Sequence, residues 1–381
     1  MEIPRTLVVT NSFPPRVGGI QRTVHSILAE LPPEQVSVFA PMSEGWQAFD
    51  AQQRYAVHRE PGGLLWPTPR VRRSLDEVVR RTSSDVVVFG DAMPLAMLGP
   101  RLARLGTPYL VLAHGFDYWL SLAPGAHSSY RYMTSLASGV LVCSAFIARV
   151  VRTAVREGVP VSVLYPGADG ERFRPDLPAE AIRRRHGVAE RPLVVCVSRL
   201  IPRKGQDTLI RSVETIRRRV PEACLMIVGD GPYRKKLEAM ALEAPAGSVV
   251  FAGEVSEEEL PLYYAAGDVF AMPCRTRLGG LEVEGWGNVF LEAAACGRPV
   301  VVGNSGGAPE VLVDGVTGLL VDGGQTGAVA EAVSGLLADP GRATAMGVAG
   351  RARVEGSFTW SRVAETLARR LREAAAGQGA R

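Results

Sequence analysis

Residues 191–210 read R-P-L-V-V-C-V-S-R-L-I-P-R-K-G-Q-D-T-L-I. The unbroken apolar run Leu193 to Val197 predicts a strand with no solvent face, and such strands lie in parallel sheets covered by helices on both sides. The next stretch, from Ser198, is a proline-stiffened loop that enters a helix, and strand, loop and helix in succession form the repeating unit of a doubly wound α/β domain. Arg199 and Lys204 stand five apart in that loop. A planar guanidinium and a point-charge ammonium beside the free N–H groups of a helix start would clamp a diphosphate; a solvated basic loop is the competing reading. Only three lysines occur in the chain, Lys204, Lys235 and Lys236, and Lys204 alone has a glycine-flanked loop around it.

The same alternation extends in both directions. T-L-V-V-T, V-S-V-F-A, D-V-V-V-F, Y-L-V-L-A and G-V-L-V-C precede the opening stretch, and C-L-M-I-V, V-V-F-A, D-V-F-A-M and P-V-V-V follow it. The pattern pauses between Tyr165 and Pro192, where P-G-A-D-G and R-P-D-L-P are turn chemistry. Two doubly wound, Rossmann-like parallel-sheet domains are therefore expected, over residues 1–170 and 171–357, facing a cleft. Ligands of such sheets bind beyond the carboxyl ends of the strands. From residue 358 onward Trp360, Val363, Leu367 and Leu371 recur at helical spacing, predicting an amphipathic helix that packs back on the first domain.

The 381 residues suffice for two such cores without staples, and 46% of them are hydrophobic. Basic and acidic residues nearly balance, 43 against 39, for a net charge of +4 with no long run of one sign, a poor footprint for a nucleic-acid binder. The five cysteines are widely spaced and mostly lie in apolar runs, so they read as buried free thiols of a cytoplasmic protein. Neither a signal-peptide pattern nor a membrane-spanning run is visible.

Three further segments carry candidate chemistry. In N-S-F-P-P-R-V-G-G-I-Q, between the first strand and a helix starting near Ile20, Gly18 and Gly19 would let a ligand approach the backbone, although an ordinary strand-to-helix turn reads the same way. In E-G-W-G-N-V-F-L-E, Glu284 and Glu292 are separated by seven residues. A helix starting near Asn288 puts Glu292 one turn inside it and leaves Glu284 in the loop before it, with Gly285 and Gly287 opening the backbone between them. His114, in L-A-H-G-F-D, ends an apolar run and so is expected at the cleft. The sequence has no G-x-G-x-x-G, no Walker A, no D-x-D and no H-E-x-x-H, which removes a dinucleotide fold, a P-loop NTPase, the usual metal–diphosphate grip and a zinc-hydrolase class.

The order G-G-I, H-G, S-R-L-x-x-R-K-G, E-x7-E resembles the retaining GT-B glycosyltransferases with an E-x7-E motif, over essentially the whole chain. Within that group, M-P-C-R-T-R-L-G-G-L-E-V-E-G-W-G-N-V-F-L-E and S-G-G-A-P-E are most similar to actinobacterial phosphatidylinositol mannosyltransferases that use GDP-mannose. The resemblance implies that Arg199 and Lys204 hold the donor diphosphate and Glu292 the ribose. Glu284 would hold sugar hydroxyls, with the backbone of Asn288 and Val289 nearby and Val255 close to the base. Gly18 and Gly19 would approach the diphosphate from the first domain, His114 would contact the sugar, and Gln21, Trp66 and Asp117 would line the acceptor site. The first domain departs from the pattern: Ser12 stands where an acid is expected, Phe116–Asp117 replaces H-E, and His127 replaces an arginine.

The expected activity is retaining transfer of a hexose, mannose from GDP-mannose, to an acceptor hydroxyl such as that of a phosphatidylinositol mannoside, without metal or other cofactor. The catalytic set is Glu284, His114, Arg199 and Lys204, and same-face attack is favoured over a covalent intermediate. A UDP-sugar donor, a soluble polyol or natural-product acceptor, and a non-catalytic sugar-nucleotide sensor are the alternatives. Leu64, Leu65 and Trp66 beside Arg70, Arg72 and Arg73 would suit peripheral contact with an anionic inner membrane face, if they do not simply pack into the domain.

Overall fold

A computed structural model describes residues 2–123 and 125–377. The chain forms two compact units, one made of residues up to Pro166 together with those from Trp360 on, the other of Gly167–Thr359.

The first unit holds a seven-stranded sheet of β1 (Thr6–Val9), β2 (Val36–Pro41), β3 (Ala56–Glu60), β4 (Val86–Phe89), β5 (Tyr109–Ala113), β6 (Gly139–Val142) and β7 (Val161–Val163). Their order is β3-β2-β1-β4-β5-β6-β7, with every pairing parallel. The central strands are buried along their whole length, in keeping with their predominantly Val and Leu content. The C-terminal helix Trp360–Ala376 belongs to this unit: Trp360, Val363, Leu367 and Leu371 join a core that includes Val24, Ile27, Val86 and Leu110. Leu367 and Leu371 are 2% and 0% exposed, and burial of each contributes roughly 1.5–3 kcal/mol. The expected extension of this helix over residues 378–381 lies outside the described residues.

The second unit holds a six-stranded parallel sheet of β8 (Leu193–Val197), β9 (Cys224–Val228), β10 (Val249–Gly253), β11 (Val269–Met272), β12 (Val300–Gly303) and β13 (Gly318–Val321), in the order β10-β9-β8-β11-β12-β13. Where the chain enters and leaves the unit, Ala168 N donates to Phe358 O at 2.8 Å and Ala168 pairs with Thr359 as an isolated bridge. Each sheet reverses its winding once, between β1 and β4 and between β8 and β11. Such switch points leave a crevice beyond the carboxyl ends of the two strands, because the following helices diverge to opposite faces. All five cysteines are free and buried, and burial pushes the Cys196 and Cys296 thiols up to about 12.

Candidate functional site

In the second unit Lys204 and Glu284 meet at the carboxyl side of the sheet, where β8 and β11 are neighbours. The loop after β8 carries exposed Arg199, then a single 3-10 turn Pro202–Lys204 that delivers Lys204 to the helix Gln206–Arg219. Gly205, at φ +79°, makes that junction, and a side chain there would run into the Pro273 carbonyl. Buried Gln206 ties the loop down, its amide donating to Ser198 Oγ at 2.8 Å and to Arg199 O at 3.1 Å.

Lys204 Nζ lies 2.7 Å from Glu284 Oε2, and Arg203 Nε lies 3.7 Å from the same oxygen. The loop before the helix Asn288–Ala295 holds Glu284 by its backbone: Glu284 N donates to Ser305 Oγ at 3.2 Å and Gly307 N donates to Glu284 O at 2.9 Å. Gly306, at φ +57°, lets this happen, since any side chain there would strike the Glu284 carbonyl. Glu284 is 6% exposed. Burial pushes its carboxyl up, but Lys204 and Arg203 together outweigh burial and hold it below the usual carboxylate range, so it is ionised at neutral pH. The sequence had assigned Lys204 and Glu284 to diphosphate and sugar separately; they form one buried ion pair. Arg203, which sequence reasoning passed over although it adjoins Lys204, is the third member.

Glu292 lies one turn inside the Asn288–Ala295 helix, buried, and its Oε2 accepts from Tyr264 OH at 2.6 Å. No sequence pattern pointed to Tyr264. The helix has Gly287 at its N-cap, with φ +110° and no side-chain cap, so the half-buried amides of Asn288 and Val289 begin a helix whose positive end is not neutralised by a side chain. Val255 lies two residues past the end of β10, at the same carboxyl edge of the sheet. Behind the loop, Asp207 pairs with Arg275 at 2.8 Å and Arg211 at 3.3 Å, and Arg275 N donates to Arg203 O at 2.8 Å. Burial raises the Asp207 carboxyl, and these arginines bring it below its ordinary value.

In the first unit the strand ends around β1, β4 and β5 hold a second polar cluster. His114 precedes the helix Gly115–Leu122, and its Nε2 donates to Gly90 O at 2.9 Å. A carbonyl only accepts, so Nε2 carries the proton, and burial lowers the ring's pKa and keeps it neutral near pH 7. Asp91, which the sequence reading did not select although it ends the β4 run, accepts at one oxygen from Thr10 Oγ1 at 2.7 Å, Ser12 N at 3.1 Å and Asn11 N at 3.2 Å. Desolvation nevertheless raises its pKa.

One first-unit expectation needs correction. Asp117, placed among the acceptor ligands, is 4% exposed and reaches back within its own helix turn: His114 N donates to its Oδ2 at 2.6 Å. An acid at the third helical position caps the helix start, and burial there pushes its carboxyl up to about 7. The backbone freedom attributed to Gly18 and Gly19 is not used locally: Gly18 is extended at φ 166°, where any residue fits, and its only close neighbour is the flexible Gln21 side chain. A Cβ on Gly19 would meet open space. The Leu64–Trp66 segment divides. Leu65 is 2% exposed and doubly bonded to the Asn11 side chain at 2.7 and 3.0 Å, whereas Leu64 and Trp66 are 51% and 56% exposed.

Among the described residues no helix is long and apolar enough to cross a membrane, and no group of three or more His, Cys, Asp or Glu side chains is arranged to hold a metal.

Residues 178–353 match the family model for glycosyl transferases group 1, and residues 17–172 match that for glycosyltransferase family 4. The chain is 45% identical over 375 residues to a GDP-mannose-dependent alpha-(1-6)-phosphatidylinositol monomannoside mannosyltransferase of Mycolicibacterium smegmatis, covering 96% of this chain and 98% of that protein. It is 39% identical to a monoacylated-acceptor counterpart from Corynebacterium glutamicum, over 95% of this chain and 96% of that one. Among solved structures, Anabaena HepE in complex with UDP and glucose superposes with a TM-score of 0.81 at 20% identity, over 97% of this chain and 99% of that one, a likeness of fold.

Proposed function

Because the chain belongs to the glycosyl transferases group 1, as its matches over nearly full length establish, we propose that it transfers mannose from GDP-mannose to a hydroxyl of a phosphatidylinositol mannoside. The observation that carries a catalytic reading is the buried Lys204–Glu284 pair at 2.7 Å beside the uncapped start of the Asn288–Ala295 helix. A buried ion pair is a poor source of stability, since desolvation offsets most of its attraction. A site that must hold a diphosphate and a polyhydroxylated sugar together needs both charges in one place.

In this reading Arg199, Lys204 and the Asn288 and Val289 amides take up the charge that develops on the leaving diphosphate, the electrostatic term usually largest in such reactions. Glu284 orients sugar hydroxyls, Glu292 the ribose, and the Val255 backbone lies toward the base. In the first unit the neutral His114 ring and the backbone at Gly19 are the groups offered to substrate. No carboxylate is assigned as nucleophile: the anomeric configuration is retained by same-face attack, the acceptor proton passing to the departing phosphate. No metal is needed, the cations above supplying the positive charge. Exposed Leu64 and Trp66 beside Arg72 and Arg73 make the peripheral contact with an anionic inner membrane face, where the lipid acceptor resides, and Trp66 and Gln21 lie on the acceptor side.

The test is thermal stabilisation by GDP, UDP, ADP and their sugars in the presence of a chelator, because a ligand at one hundred times its Kd stabilises by about 2.7 kcal/mol. Selective shifts with GDP and GDP-mannose, followed by mannose transfer to phosphatidylinositol monomannoside, are expected. A UDP-selective response, or a shift that needs a divalent metal, refutes the donor assignment.

A further inference from the structure

A cavity of the second unit lies at the opposite edge of the sheet from Lys204 and Glu284. It is a solvent-open hollow of about 650 Å³, within the range of small-ligand sites, against the amino ends of β8, β11 and β12, with Pro192, Asp268 and Pro299 just ahead of those strands. Its remaining walls come mainly from the helices Thr326–Ala338 and Pro340–Ser357, with Pro175, Arg183 and Glu190 completing the lining.

Its charged lining consists of Arg183, Arg191, Arg298 and Arg351 against Glu190, Asp268 and Glu355. Three of the arginines are committed to the fold. Arg351 is paired with Glu355 at 2.7 Å and donates to the Ala295 carbonyl at 2.6 Å. Arg183 pairs with Asp268 at 3.5 Å and donates to three backbone carbonyls, and Arg191 donates to those of Glu222 and Gly247. Arg298 is different. Among the described residues its side chain has no carboxylate within ion-pair distance and no hydrogen bond, and its Nε is buried without an acceptor, while its backbone N donates to Ala293 O at 3.0 Å. Burial pushes its guanidinium below the usual range, so the residue is held there at a cost. Beside it Leu337, Pro340 and the exposed Val348 make an apolar wall.

We propose that this cavity is a second ligand site, binding an amphipathic carboxylate whose anionic head is taken by Arg298 and whose apolar body lies along Leu337, Pro340 and Val348. The surplus of one positive charge in the lining, four against three, fits a monoanion. The site is independent of the donor site, and nothing in the proposed transfer reaction uses it.

Calorimetric titration of the full chain with laurate, below its micelle concentration, tests this, with acetate and dodecanol as head-only and chain-only controls. Laurate should bind, and both controls should bind at least about tenfold more weakly, as the loss of a charge-assisted hydrogen bond or of the chain contacts implies. Arg298→Met should weaken laurate by about tenfold or more while raising the Tm without ligand, because it removes a half-buried guanidinium whose Nε has no acceptor. A residue serving only the fold would lower the Tm. Ala352→Trp, at an exposed position of the lining, should block binding by filling the cavity and so separates loss of the site from loss of the fold. Absence of laurate binding, equal binding of either control, or laurate affinity unchanged by both substitutions each overturns the proposal.

Discussion

Replacing Lys204 by methionine removes the cation 2.7 Å from Glu284 and leaves a carboxylate that is 6% exposed facing Arg203 alone, at 3.7 Å. Removing one partner of a buried pair typically costs 3–5 kcal/mol, because the remaining charge is neither hydrated nor compensated; Arg203 retains some attraction, so about 3 kcal/mol is expected here. Adding Glu284→Gln to Lys204→Met removes the stranded charge, and the double variant should recover about 2 kcal/mol of that loss. The assay is urea unfolding of the wild type, both single variants and the double variant. The pH dependence gives a second readout. In the wild type the Glu284 carboxyl is depressed, so its contribution is present above the ordinary value of about 4.3 and lost as pH falls through the folded value; between pH 7 and 5 it is flat. In Lys204→Met burial dominates and raises the carboxyl, so that variant gains stability as pH falls from 7 to 5 and approaches the wild type. A loss below about 1 kcal/mol with no rescue in the double variant, or a gap that stays constant from pH 7 to 5, would refute a buried, coupled pair.

Glu284→Ala should lower mannose transfer by about a hundredfold or more while GDP still binds measurably, since the sugar contacts are lost and Arg199 with Lys204 remain; full transfer in that variant would remove Glu284 from the site. Arg199→Ala should change stability by no more than about 0.5 kcal/mol, the side chain being exposed, yet weaken GDP by about 10- to 100-fold in a titration. Gly306→Ala should cost about 1–3 kcal/mol in thermal unfolding and reduce transfer, because the methyl group strikes the Glu284 carbonyl at a left-handed φ. Asp117→Asn should stabilise the protein at pH 8 and lose that advantage by pH 4. The aspartate carboxyl, raised to about 7, favours folding below its unfolded value and penalises it as pH rises through the folded one, while the amide oxygen can still cap His114 N. Urea midpoints at the two pH values decide it.

The central strands were legible because burial on both faces selects mostly Val, Leu, Ile, Ala, Phe, Met and Cys. The three strands missing from the sequence reading, β3, β7 and β13, all lie at sheet edges. Ala56–Glu60 runs A-V-H-R-E and Val161–Val163 is half-buried throughout, so neither needs a continuous apolar run. The edge strand β10 was readable because V-V-F-A stays apolar although half-buried. Asp117 was misassigned although its signal was present: an acid three residues after the strand-ending His114, at the first turn of a helix, is in a capping position by spacing alone.

The pairing of Lys204 with Glu284, and of Thr10 with Asp91, was out of reach for a different reason. Each of these residues could be placed at the carboxyl end of a strand from local pattern, but a list of strands in sequence order does not say which are neighbours. β8 precedes β11 by two intervening strands and β1 precedes β4 by two as well, and in each sheet the crossover makes them adjacent. Strand order, decided by long-range packing, is what turns eighty residues of separation into a contact of 2.7 Å. Both polar clusters therefore sit where the winding reverses. That position leaves strand-end side chains uncovered by connecting helices and free to serve a ligand instead of the core.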